Sequence, residues 1–373
     1  MEVLILGGTG AMGVHLVDIL ENKGCNITVT TRRSIPSIDK VRYIQGNAMD
    51  DAFFEKVCDI KMWDAIVDFM VYDSIKLKRR IGKFLSSTKQ YVFISSARVY
   101  ADSPDALINE DSARLLDVCT DEEYLSTDEY ALAKAREENV LFEQNAKNWT
   151  IIRPSLTYSE NRLQLGVYEK ENWLYRAIHG RSIVFSKDLL EKFYTLSYGR
   201  DVADGIASVI GRKEAYGEAV HPVIAKSYQW KDILDLYVDE IERITGKRPE
   251  VKLTEKCTNL DIHGLQYQVK YGRYFSRHFD NSKIRKFADT EEWLDMQEGL
   301  SMCLRRFMKT PKFNNINWIV EACIDRAVKE RTPLSEIPAL KDKIVYLCYR
   351  YKLEKVIEIN HLIKISLKKL VRR

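Results

Sequence analysis

The chain has 373 residues, 45% hydrophobic and 30% charged, with 17 glycines and 8 prolines, which excludes disordered and collagen-like classes and allows a large core. Its 58 basic and 54 acidic residues leave a net charge of only +4, so no general affinity for nucleic acid is expected. The basic excess is local: residues 341–373 hold ten basic and three acidic side chains, leaving 48 against 51 in residues 1–340.

Seven cysteines without CxxC or zinc-finger spacing read as reduced thiols, and no metal site is expected. An opening that enters structure at once, with no apolar run of membrane length, points to a cytoplasmic, soluble protein.

Glu2 to Leu6 reads as a buried strand. It is followed by Gly7-Gly8-Thr9-Gly10-Ala11-Met12-Gly13, then by Leu16, Ile19 and Leu20 at helical spacing. Strand, glycine turn and helix in that order form a dinucleotide cradle, with Gly7, Gly10 and Gly13 where the backbone turns tightly and meets a pyrophosphate on the helix N-terminus. The next strand, Ile27 to Thr31, ends in Arg32-Arg33-Ser34 at the place where an acid would hold the free ribose hydroxyl of NAD. Two guanidiniums and a hydroxyl suit a 2′-phosphate instead, which favours NADP(H) while leaving NAD(H) open.

Further strands are expected at Val41 to Ile44, Trp63 to Phe69 and Tyr91 to Ser96, with Asn47 in a loop able to reach an adenine edge and a helix running through Leu85. Apolar strands alternating with helices mean an α/β fold with a doubly wound parallel sheet of Rossmann type, whose ligands sit beyond the carboxyl ends of the strands, where Ser96 falls. Ser126 and Glu129 have capping-box spacing, which predicts a helix beginning there. On that helix Tyr130 and Lys134 stand at i and i+4 on one face, and a cation beside a phenol favours the phenolate, which is a general base.

These residues resemble the extended short-chain dehydrogenase/reductase family of NAD(P)-dependent nucleotide-sugar epimerases, dehydratases and reductases. The likeness rests on the glycine motif of residues 7–13, on Phe93 to Tyr100 and on Tyr130 to Lys134. It extends through Arg153-Pro154-Ser155, Arg200 to Ala203, Phe279 to Lys283 and Glu298 to Leu300, and so covers about residues 1–308. The resemblance implies that Ser96, Tyr130 and Lys134 form the catalytic triad. It also implies a cofactor held by Gly7, Thr9, Gly10, Met12, Gly13, Arg32, Arg33, Ser34, Asn47, Asp68, Tyr130, Lys134 and Pro154. The substrate would be a sugar or nucleotide-linked sugar, epimerised through a keto intermediate or reduced by NADPH, and a homodimer is expected.

The chain departs from that pattern in several places. Asp68-Phe69-Met70-Val71 stands where a His and two Ala are usual, and an acid-rich insertion runs from Asp102 to Glu123. The two arginines that clamp a diphosphate in many relatives would fall near Tyr194 and Lys270, so Lys192, Lys270, Arg273 and Arg277 are the candidate substrate cations. Thr127-Asp128-Glu129 lies at the helix start rather than at Ser96, so it serves the helix N-terminus and dehydration is disfavoured.

The expected organisation is a dinucleotide-binding domain over 1–165 with its sheet completed by later segments, a smaller substrate domain over 166–310, and a basic helical extension over 311–373. Helices are expected near 169–179, 200–211 and 228–245. In the extension, Ile344 to Leu353 and Val356 to Leu370 read as amphipathic helices beside many lysines, able to lie on anionic lipid or to pack on the protein. If they lie on lipid, deleting 341–373 should spare cofactor binding.

Overall fold

The computed structural model describes residues 1–257 and 265–353. It divides into two compact units, the first built from Met1–Arg162, Phe193–Gln229 and Phe275–Cys303, the second from Leu163–Lys192, Trp230–Tyr274 and the chain from Leu304.

The first unit is organised on seven parallel strands: β1 (Glu2–Leu6), β2 (Asn26–Thr31), β3 (Val41–Gln45), β4 (Ala65–Asp68), β5 (Tyr91–Ile94), β6 (Trp149–Ile152) and β7 (Glu218–Val220). Their order is β7-β6-β5-β4-β1-β2-β3, every neighbouring pair parallel. The central strands are largely apolar because helices cover both faces of such a sheet, and Val3 to Leu6, Ala65 to Val67 and Tyr91 to Phe93 are all fully buried. Chain order runs outward from β1 to β3 and then returns to β4 on the other side of β1, so the topological switch lies between β1 and β4. The register sets Leu6 beside both Thr30 and Asp68, and Asp68 beside Phe93, which brings the carboxyl ends of β2, β1, β4 and β5 together.

Helices α1 (Gly13–Asn22), α2 (Asp51–Cys58), α3 (Ser74–Ser87) and α4 (Tyr130–Phe142) serve this sheet. Asp50 and Asp73 cap α2 and α3 through the amides of Phe53 and Lys76. Under β4 and β5, Phe54, Phe84 and Tyr91 form a ladder with ring centroids 4.7 and 4.3 Å apart. Rings buried this deeply contribute about 2–3 kcal/mol each.

The units differ from the expected boundaries. Phe193–Gln229 and Phe275–Cys303 belong with the sheet, because β7 extends it beside β6 and the helix Gly199–Val209 packs its first glycine on the glycine turn, where an added Cβ would lie 2.6 Å from the Ala11 carbonyl.

The second unit holds helices Lys170–Ile178 and Trp230–Thr245, close to their expected places, and a parallel strand pair Ile183–Ser186 with Val251–Thr254. Gly246 ends the longer helix with φ +73°, a conformation that favours glycine. Residues expected as a separate extension are part of this unit. Helices Trp318–Val328 and Leu340–Arg350 join a core of Tyr175, Trp318, Ala322, Ile337 and Tyr346.

The expected helix Val356 to Leu370 lies outside the described residues. The one at Ile344 to Leu353 is shifted to Leu340–Arg350, where Tyr346 is fully buried and donates to Asp325 at 2.7 Å. Truncation before Lys341 is therefore expected to cost about 3 kcal/mol or more by denaturant titration, since it empties a core site and strips a buried carboxylate of a donor. An unchanged midpoint would show that this helix is dispensable.

Candidate active site

The glycine turn shows why two of its glycines are needed. Gly7 adopts φ +74°, and a Cβ there would sit 3.0 Å from the Met70 sulfur; at Gly13 it would meet the Gly8 backbone at 2.6 Å. Gly10 differs, because nothing lies within 4 Å of its missing Cβ. Packing does not demand a glycine there, whereas close approach of a ligand to the backbone would.

Helix α1 begins at once with no capping side chain and no acid in its first turn, which leaves a positive helix end beside that opening. Thr30 Oγ1 accepts from the Gly7 amide at 3.2 Å and so ties the turn to β2, a contact the sequence reading missed. Thr9 and Met12 line the same turn, and the Met12 sulfur is 3.9 Å from Thr157 Oγ1.

At the end of β2, Arg32, Arg33 and Ser34 are all exposed, while the Arg33 amide donates to Thr31 Oγ1. Asn47 is exposed, and its side-chain oxygen is taken by the Met49 amide at 3.1 Å in a local turn.

Beyond β5, Ser96 is 9% exposed and opens a short turn over Ala97–Val99. Its Oγ accepts from the Arg98 amide at 3.2 Å, which leaves the hydroxyl hydrogen available to a ligand. Neighbouring Ser95 is committed to the core, donating to Glu138 at 2.6 Å. The buried Pro154 accepts from the Ala97 amide at 2.9 Å and so fixes the same turn from the end of β6.

Tyr130 is 42% exposed at the first position of α4, and Lys134, one turn on, is 2% exposed with its Nζ 4.6 Å from the Phe93 ring centroid. The phenol thus faces outward while the ammonium lies against the end of β5. The helix starts three residues later than the capping box predicted, with its cap at Glu129 in place of Ser126. Ser126 instead bonds the Glu123 carbonyl and closes the preceding turn, and Glu129 is itself the cap, accepting from the Ala131 amide at 2.9 Å. Glu129 also accepts from Arg98 at 2.8 Å and from Tyr124 at 3.0 Å. One carboxylate therefore joins the turn that carries Ser96 to the helix that carries Tyr130.

Behind these groups lies a buried cluster. Asp68, expected at the cofactor, turns its carboxylate into the core. It accepts from Tyr91 at 2.8 Å, from Tyr72 at 3.3 Å and from the Met70 amide, and burial pushes it up to about 6. Glu137, which the sequence reading overlooked, is fully buried with Oε2 2.9 Å from Lys134 Nζ, and burial pushes it up to about 7. Beyond that ion pair, Lys134 Nζ and both Glu137 oxygens lack hydrogen-bond partners among the described residues. The signal available in the sequence was an acid three residues after the lysine on a helix whose neighbouring positions are small and apolar.

The expected substrate cations divide. Arg273 and Arg277 are each 2% exposed, and their guanidiniums donate to backbone carbonyls, of Gly166 for the former and of Tyr100 and Ala101 for the latter. These bonds brace the loops from which the carbonyls come. Lys192 is half-buried in the second unit, and Lys270 is exposed with its Nζ 4.8 Å from the Tyr271 ring. The insertion from Asp102 to Glu123 is anchored by Arg114, which pairs with Asp117 at 2.8 Å and with Glu138 at 3.2 Å. Glu138 in turn takes both arms of Arg153 at 2.8 and 2.9 Å.

A nicotinamide dinucleotide fits these groups. The open face at Gly10 and the uncapped start of α1 suit the pyrophosphate, and the unspent donors of Lys134 suit ribose hydroxyls.

Among solved structures, the chain is similar to an epimerase from Methanothermobacter thermautotrophicus, with TM-score 0.59 and 17% identity over 83% of this chain and 92% of that one. It is similar also to UDP-glucuronic acid 4-epimerase from Bacillus cereus, solved with UDP-glucuronic acid and NAD, with TM-score 0.60 and 14% identity over 83% and 99%. Among curated proteins it is 24% identical over 234 residues to the chloroplast stem-loop binding protein of 41 kDa b from Arabidopsis thaliana, a match covering 58% of this chain and 57% of that relative's length. Residues 3–224 match the model of the NAD dependent epimerase/dehydratase family, and with the cradle, the serine turn and the tyrosine-lysine helix all inside that span, the chain belongs to this family.

Proposed function

We propose that the protein is an epimerase of a nucleotide-linked sugar that works through a transient keto intermediate with a tightly held nicotinamide dinucleotide. The observation that carries this reading is the pairing on α4 of an exposed phenol, Tyr130, with a buried ammonium, Lys134, at the carboxyl edge of the sheet. Tyr130 takes the proton from a sugar hydroxyl and later returns it, Ser96 donates to the reacting oxygen, and Lys134 holds the nicotinamide ribose. The cofactor, when bound, carries the hydride. UDP-glucuronic acid in the Bacillus cereus relative supports a nucleotide diphosphate sugar as the substrate class.

Reduction of a keto-sugar is favoured by one feature, the exposed Arg32 and Arg33, which suit the 2′-phosphate of NADPH. NADP(H) should bind more tightly than NAD(H), and Arg32→Asp should lower NADP(H) affinity about tenfold or more, since it replaces a charge-assisted bond with repulsion. Titration of both cofactors against both proteins measures this. Equal affinities in the wild type would refute it.

Stem-loop RNA binding is favoured by the name of the Arabidopsis relative. The mild acid excess of residues 1–340 weighs against it. A panel of nucleotide sugars and keto-sugars decides among the three: inverted product without net cofactor use supports epimerisation, stoichiometric loss of NADPH supports reduction, and stem-loop binding with an inert sugar panel supports the third.

A further inference from the structure

Glu137 has no place in the proton transfer outlined above, yet it is the charged group nearest Lys134. We propose that Glu137 is a positioning residue for the active site, a buried carboxyl that holds the Lys134 ammonium aimed at the cofactor and makes cofactor binding depend on its own ionisation. The proposal rests on the reading of Lys134 as the ribose-binding group.

Geometry supports it. Both side chains are sealed from water, 2.9 Å apart on successive turns of α4, and Phe93 covers the ammonium from β5. An ammonium has three donors, and one is directed at Glu137; the others have no partner among the described residues and remain for a ligand.

The charged groups around Glu137 come from each neighbouring element. Lys134 lowers its proton affinity from the same helix, Asp68 on β4 and Asp128 before α4 raise it, and the phenol of Tyr91 on β5 interacts with it. Tyr72, just before α3, reaches the cluster through Asp68, and Arg80 of α3 lies over the Tyr72 ring. Burial is the largest influence and holds the Glu137 carboxyl at about 7 in place of its usual 4.5. Between those values the folded chain keeps a proton that the unfolded chain releases, so this group's contribution to stability falls as pH rises from 4.5 to 7.

The test uses the full chain with Glu137→Gln, which preserves shape, and Glu137→Asp, which preserves charge. Denaturant midpoints of the ligand-free proteins are measured from pH 4.5 to 8, and NADPH and NADH affinities by fluorescence from pH 6 to 10. The wild-type midpoint should fall relative to that of Glu137→Gln as pH rises toward 7, then run parallel. Cofactor affinity should rise in the wild type as pH passes 7 and Glu137 ionises, stay about tenfold lower and flat through that range in Glu137→Gln, and move back toward the wild type in Glu137→Asp.

Midpoints offset equally at every pH, with cofactor profiles that superimpose, would reduce Glu137 to a packing residue and overturn the proposal. The expected midpoint behaviour without nicotinamide nucleotide binding at any pH would overturn the reading of the site instead, leaving the ion pair a structural role.

Discussion

Tyr130→Phe is expected to lower turnover at least about 10²-fold while keeping the fold and cofactor affinity, because only one oxygen, on a partly exposed side chain, is removed. Among the described residues that oxygen has no hydrogen-bond partner, so a large kinetic loss identifies proton transfer. Ser96→Ala removes one hydrogen bond to the reacting oxygen and is expected to cost about 10²-fold or less. Lys134→Met should differ in kind from both. It discards the ribose contact and leaves Glu137 buried without its cation, so cofactor affinity and stability should fall along with turnover. Steady-state rates on an active sugar, cofactor titration and denaturant midpoints separate the three patterns. A Tyr130→Phe enzyme that turns over like the wild type places the proton-transfer group elsewhere.

Much of this site was legible because its parts are local. A strand, a glycine turn and a helix lie within 22 residues, and the period of the apolar residues separates them; Tyr130 and Lys134 share a face by helical spacing alone. What could not be read depends on long-range pairing. Glu129 has the same sequence context whether it completes a capping box from Ser126 or serves as the cap itself, and its contacts to Arg98 and Tyr124 decide the matter. Arg273 and Arg277 look like free cations in sequence, and only the folded loops show their donors taken by carbonyls. Asp68 at the end of a strand reads as a cofactor ligand, and nothing local in the sequence signals the bonds it accepts from Tyr91 and Tyr72. The apolar stripe of the last segment was legible, but which surface it covers was not, and Tyr346 packs with Tyr175 and Trp318 in the second unit's core.

Within that second unit the largest loss of stability is expected from Arg176→Met. Arg176 is fully buried and gives its guanidinium to Glu321 at 2.7 Å, Asp325 at 2.8 Å and Glu330 at 2.6 Å, with a fourth bond to the Ser182 carbonyl. Glu321 and Asp325 are themselves fully buried, and burial already raises Glu321. Methionine fills the space and leaves these carboxylates without their main cation, a change that costs about 3–5 kcal/mol when one partner of a buried pair is lost. Arg181, 3.3 Å from Glu321, offsets part of it. Because the cost comes from unpaired negative charge, Arg176→Met with Glu321→Gln should recover part of the loss, a coupling that a double-mutant cycle measures. The pH dependence has a fixed sign. Without the arginine the folded carboxylates hold protons more tightly than the unfolded ones, so the variant gains stability relative to the wild type as pH falls through the carboxylate range. A loss that is independent of pH and unrelieved by Glu321→Gln would show that Arg176 stabilises the helix pair by its bulk and not by its charge.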